Sequence, residues 1–489
     1  MLPSSIDLRP KHDDTSPRAS HHSPSSSSSS SIFRATTIDC EQELLANNEQ
    51  LNRNESHSED AANITINEMK DNGCNDLRVF DGYFLYSVIR ESKVSIADIV
   101  DEWLKSYVDD IKLSLLSLLQ LIISSSNSRL VITKALYDNL TLNEIYKEIT
   151  NNFVEDDIYP LIDQSIASFG STLYEFIYKL SKSASFTFLL DDLIIPELFA
   201  FLKLCCNSNY RSLRHTATFI GLIFGNGLLH SMWNLAKNVS KQLDASIVSE
   251  NNKISASLMS ETDQNEQKKL KSYFSFVMND IFCMRYRDVC HEIRTLCITM
   301  LGQWMKIYPQ EIILDKNLKY IGWLLYDKQF NVRIQCLSVL IDQSVSLQSL
   351  NMIENFLKRF KDRLLQMTYD INNDVSLQAI KLFDKICKLK TYKTSEEDFK
   401  IICRNLRVNN RKIASGSAKL LLSINGFHNT KNLNRDSNFA IFNILASAII
   451  DYQDFQSTLL FVDAFTEHIS HILNSWDVYS DYLNDLSGN

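Results

Sequence analysis

Helix breakers are scarce: the 489 residues hold 11 glycines and 7 prolines. That is too few for an all-β fold, which needs a turn roughly every 8–12 residues. Ten cysteines are present but no C-x-x-C pair, which excludes a zinc ribbon or a redox dithiol. Cys283, Cys290 and Cys297 recur every seven residues and are expected on one helical face as small buried hydrophobes. Catalytic signatures are also missing: no G-x-x-x-x-G-K-[ST], no G-x-S-x-G and no H-E-x-x-H. Gly221, Gly225 and Gly227 follow nothing that reads as a strand, so close helix packing is their expected role. His468 and His471 lack a third metal ligand. The reading is no enzyme, no cofactor and no metal. Met1 to Pro10 contains no apolar core of a secretory signal. From His215 to Ala236 no charged residue occurs, yet Asn226, His230, Ser231, Asn234 and three glycines interrupt the run. It reads as a buried core helix or helix pair and not as a membrane span, which needs about 20 mostly apolar residues.

Hydrophobic residues make up 45% of the chain, enough for a large core. Residues 1–76 are expected to be a disordered tail, with serines unbroken from Ser25 to Ser31; such a composition buries too little apolar surface to offset its ordering entropy. From about Asp81 the period becomes helical, as in Ile96, Ile99, Val100, Trp103, Leu104 and Tyr107. Gln242 to Lys271 is polar, a solvated helix or a helix-loop insertion. The second half repeats. Helix starts recur at Ile293-Arg294, Val332-Arg333, Val375-Ser376 and Ile413-Ala414, spaced 39, 43 and 38 residues. That sits at the lower edge of the HEAT and armadillo period of roughly 40–47 residues. The predicted fold is all-α, a HEAT/armadillo-like helical-repeat solenoid behind a disordered N-terminal tail. Stacked units of this kind present a long binding surface.

Charge is unevenly placed. The chain carries a net charge of -9, yet Lys358 to Lys412 holds fourteen Lys or Arg against seven Asp or Glu. This stretch is either a solvated face or a phosphate-contacting stripe without base specificity. Aromatic and Arg residues concentrate between Phe282 and Lys361. Tyr286-Arg287, Lys319, Trp323 and Arg359-Phe360 are residue types that anchor interfaces, although aromatics at helical spacing are commonly core.

The ordered strings Arg285-Tyr286-Arg287-Asp288, Glu292-Ile293-Arg294, Trp304-Met305-Lys306, Leu318-Lys319-Tyr320-Ile321-Gly322-Trp323 and Arg359-Phe360-Lys361-Asp362-Arg363 resemble the stromalin conservative domain of the STAG cohesin subunits. Val100 to Tyr107, Arg214-His215-Thr216 and Ser395-Glu396-Glu397-Asp398 resemble flanking parts of the same family. The resemblance implies the N-terminal half of such a subunit, with a STAG-type helical domain over 81–275, the conservative domain over 276–367 and further HEAT-type repeats over 368–489. It implies a non-catalytic partner of the kleisin and SMC subunits of cohesin, acting on chromosomes in the nucleus in sister-chromatid cohesion, with no membrane role. A regulator-peptide patch for aromatic-x-Phe motifs carries over onto Tyr286, Arg287, Asp315, Leu318, Lys319, Trp323, Arg359 and Phe360. Double-stranded DNA contact is expected at Arg211, Arg214, Lys385, Lys388, Lys390, Arg404, Arg407, Arg411 and Lys412. The alternative is a HEAT scaffold of another class, serving transport or a phosphatase.

Overall fold

A computed structural model describes residues 82–487, apart from 92, 152, 184–191, 249–260, 389–394, 428–433 and 451–454. The expected tail over 1–76 lies outside the described residues, as does Lys390. Every regular element among the described residues is helical.

The first elements are α1 (Gly82–Glu91), α2 (Ile96–Asp109), α3 (Ile111–Ser124), α4 (Lys134–Asn139), α5 (Leu142–Asn151), α6 (Phe169–Ser183) and α7 (Ile194–Cys206). Ile96, Ile99, Val100 and Trp103 bury one face of α2. Asp110 then ends α2 and starts α3, its carboxylate accepting the N–H of Leu113 at 3.1 Å. This is N-capping, which supplies an acceptor to an otherwise orphaned donor. Trp103 Nε1 donates to Ser117 Oγ at 2.9 Å and ties the two helices together.

The uncharged run from His215 lies inside one helix, α8 (Arg211–Val248), of 38 residues. It packs on α6, α7 and two later helices. Its glycines permit close approach: a Cβ on Gly221 would fall 2.5 Å from Ile281 Cδ1. No described helix is long and apolar enough to cross a membrane.

Helix α9 (Glu261–Phe276) runs into a π-helical turn, Val277–Phe282, and a last turn, Cys283–Arg285. The chain reverses at Asp288 before α10 (His291–Ile307) begins. This reversal corrects the expectation of a shared cysteine face. Cys283 lies before the turn, Cys290 in it at the N-cap of α10, and only Cys297 is inside α10.

The chain continues through α11 (Asp315–Leu324), α12 (Phe330–Gln343), α13 (Leu347–Arg359), α14 (Lys361–Met367), α15 (Asn373–Lys388), α16 (Glu396–Asn405), α17 (Arg411–Ile424), α18 (Arg435–Ile450), α19 (Phe455–Leu473) and α20 (Trp476–Ser487). The four repeating sequence starts are the first turns of α10, α12, α15 and α17. These helices stack side by side in one layer, with α8 before them and α19 after. Helices α11, α13 and α16 form part of the second layer. One apolar core runs from Leu85 to Leu420, and a second gathers α16 to α20. A single repeat cannot bury its own face, so stacking is what stabilises each one.

A polar ladder fixes the register of the stack. Arg214 donates to Asp288 (3.1 Å), Arg294 to Asp327 (2.7 and 2.8 Å) and Arg333 to Asp370 (2.8 and 2.6 Å). Each aspartate also accepts the N–H two residues on, from Cys290, Gln329 and Asn372. Each arginine also donates to two carbonyls of the turn before its own helix. In the next repeat Ser376 replaces the arginine, and its hydroxyl donates to Asp370 O at 3.1 Å.

Candidate functional site

Helix α11 is amphipathic in an informative way. Asn317, Leu318, Tyr320, Ile321, Gly322 and Leu324 are buried, while Trp323 remains 52% exposed. Its ring stacks on Tyr286, with centroids 6.0 Å apart at 27°, and meets Tyr320 edge-on at 5.7 Å and 86°. Lys319 Nζ lies 4.9 Å from the Tyr320 centroid and 5.5 Å from that of Trp323. The Arg287 guanidinium sits 5.1 Å above Tyr286. On the other side, the Phe360 ring presses on Gly322, where a Cβ would collide with it, and Arg359 lies 5.3 Å over Phe360. Tyr286, Arg287, Lys319, Trp323, Arg359 and Phe360 therefore gather around α11. Leu318 is buried beneath them, and Asp315 is exposed in the first turn of α11. Aromatic faces ringed by cations are suited to a ligand with an aromatic side chain and negative charge. Tyr326, part of the aromatic concentration in the sequence but not placed in the patch, is exposed with Arg363 stacked 4.6 Å above it. Arg363 is held there by bonds to Leu325 O. The sequence signal for Arg363 was its place in the Arg359–Arg363 string.

Of the nine basic residues expected at DNA, eight are described, and they fall in three separate places along the chain's helices. Gly416 of α17 lies against Ile380 of α15, and further along both helices Ser423 bonds Asp384 at 2.7 Å, so the two helices run parallel. Lys385 and Lys388 lie at the closing end of that pair. Arg404, Arg407, Arg411 and Lys412 lie at the opening end, about 18 Å away at 1.5 Å rise per residue. These last four are exposed. Arg411 lies 3.6 Å from Glu467 and 3.8 Å from Asp463. Arg211 and Arg214 belong to α8. Arg211 donates to Asp157 O at 2.8 Å and stacks 5.7 Å over Tyr159. Arg214 is committed to Asp288, with side chains 15% and 2% exposed.

A buried polar pair lies beneath Arg211. Tyr159 Oη and His215 Nδ1 are 2.6 Å apart, and burial pulls the His215 pKa down to about 4 against the smaller opposing pull of Glu292. The ring is neutral at physiological pH. His468 contacts Ser415 through its Nε2, 2.9 Å from the carbonyl. Among the described residues no three His, Cys, Asp or Glu side chains are grouped to hold a metal.

Two family models match: the STAG domain over residues 157–270 and the stromalin conservative domain over residues 287–361. The chain is 28% identical over 353 residues to cohesin subunit SA-1 of Xenopus laevis, covering 70% of this chain and 28% of that protein. Human cohesin subunit SA-3 is also 28% identical over 353 residues, with 69% and 28% covered. Cohesin subunit scc-3 of Caenorhabditis elegans is 28% identical over 310 residues, with 61% and 28% covered. The matched part thus spans 28% of the length of these relatives. The solved structure of cohesin subunit Scc3 from Z. rouxii, residues 88–1035, superposes with a TM-score of 0.64 at 20% identity, covering 78% of this chain and 50% of that one. At that identity the likeness is one of fold.

Proposed function

We propose that the chain is a member of the stromalin/STAG family of non-catalytic helical scaffolds and works as an accessory subunit of cohesin. In this reading it binds the kleisin, and through it the SMC ring, on chromosomes in the nucleus, and it supports sister-chromatid cohesion. The observation that carries the proposal is the patch around α11. A tryptophan left 52% exposed, stacked on Tyr286 and flanked by Lys319, Arg287 and Arg359, supports a role as an anchor for a partner's side chain. Regulators with an aromatic-x-Phe motif and nearby acidic residues suit it: their rings meet Trp323 and the half-buried Phe360, with the buried Tyr286 supporting Trp323 from beneath, and their carboxylates meet the cations. Binding of a labelled aromatic-x-Phe peptide tests this. Trp323→Ala should weaken it by about 2 kcal/mol or more, the usual cost of truncating an anchor, with little change in thermal unfolding. Equal loss of fold and binding would make Trp323 a core residue and sink the site.

For DNA we propose the exposed set Arg404, Arg407, Arg411 and Lys412, with Lys385 and Lys388 as a second group. Arg214 is left out, because four of its five N–H donors are taken by Asp288 and two turn carbonyls and its side chain is only 15% exposed.

A further inference from the structure

A cleft of about 300 Å³ opens beside the aromatic patch, between α8, the π-helical turn after α9, and α11. Its floor is apolar and buried: Leu229, Met232, Phe274 and Ile312. Its rim carries Lys271, Lys316 and Lys319 against a single carboxylate, Glu311. Glu311 already lies 3.5 Å from Lys271. Among the described residues Lys316 and Lys319 have no carboxylate partner. Met278 and Asn279 of the π-helical turn line the cleft, and such turns are frequent at functional sites.

A buried apolar floor under an excess of positive charge selects an amphipathic anion. The shape of α11 favours a linear one. Lys316 and Lys319 stand at i and i+3, neighbours on one face of the helix at the cleft rim. They rise about 4.5 Å along the helix at 1.5 Å per residue, within the reach of carboxylates on either side of one residue of an extended segment. A free polyanion would use the rim and leave the floor empty.

We propose that this cleft is a second docking site, taking an aliphatic side chain flanked by carboxylates in a linear segment of a partner protein. The aliphatic group enters between Met232 and Phe274, and the carboxylates meet Lys316 and Lys319. The site shares Lys319 and the buried Tyr320 with the aromatic patch and requires no aromatic residue in its ligand.

The test uses the full chain and a fluorescein-labelled peptide, Gly-Asp-Glu-Leu-Glu-Asp-Gly, titrated by fluorescence polarisation. Modification of Cys283 by N-ethylmaleimide, followed by mass spectrometry, is the second readout, because its thiol lines the cleft. Saturable binding is expected, with Cys283 modification slowed about threefold or more at saturation. Affinity should fall about tenfold or more in Lys316→Glu, as for loss of an interfacial charge pair, and in Ser275→Trp, which fills the cleft from its rim. Lys316 is exposed, so Lys316→Glu should keep the parent Tm. Trp323→Ala should bind this peptide unchanged, whatever happens to the aromatic-x-Phe peptide. The proposal is overturned by absent binding, by equal binding in Lys316→Glu, by weakened binding in Trp323→Ala, or by inorganic phosphate displacing the peptide as readily as unlabelled peptide does.

Discussion

At the scale of residues, environment decides what each side chain does. Gly322 illustrates this, since the Phe360 ring occupies the space a Cβ would need. Gly322→Ala should therefore displace Phe360, lower stability by about 1–3 kcal/mol through overpacking, and weaken aromatic-x-Phe binding. Calorimetry beside peptide titration checks both. His215 gives a pH prediction. Its folded pKa of about 4 lies below the unfolded value near 6.5. The unfolded chain thus binds more protons between those values, and stability falls as pH drops from about 6.5 to about 4. The loss should approach about 3 kcal/mol, at 1.36 kcal/mol per pKa unit. Denaturant unfolding at several pH values measures it, and His215→Gln should flatten the profile. The grouping of Trp323, Tyr286 and Arg287 was legible in sequence because Trp, Tyr and Arg cluster there. The fate of Arg214 was not: its partner Asp288 is 74 residues away, and no local pattern announces a buried pair.

At the scale of elements, the Asp–Arg ladder does what the repeat spacing only hinted at. The starts at Ile293-Arg294 and Val332-Arg333 were visible as a period. Their arginines close onto Asp327 and Asp370, in the turns ahead of the next helix in the layer. Removing one partner of such a buried pair leaves the other charged and unsatisfied, a cost of about 3–5 kcal/mol. Asp327→Ala should destabilise by about that amount in chemical denaturation. The double variant Asp327→Ala/Arg294→Met should recover part of it. The cysteine spacing misled for a physical reason: a heptad count assumes an unbroken helix, and the turn at Asp288 breaks it. The π-helical turn and the cleft beside it were not legible either, because Val277–Phe282 has an ordinary helical composition.

At the scale of the molecule, the stack of α8, α10, α12, α15, α17 and α19 follows from scarce breakers and a period near forty residues, and both were readable. Which basic residues share an edge was not readable, since that depends on helix direction across layers. If the exposed Arg404, Arg407, Arg411 and Lys412 contact phosphate, duplex binding should ignore sequence and fall steeply between roughly 50 and 200 mM salt. A double Arg404→Glu/Lys412→Glu variant should reduce the salt slope, and a flat slope in the parent chain would remove the DNA role. The most direct test of the account is affinity purification of the protein from its own cells, with mass spectrometry of what comes with it. The account predicts a kleisin and two SMC proteins. Recovery of a soluble, folded chain without them, bound instead to transport or phosphatase components, would contradict it.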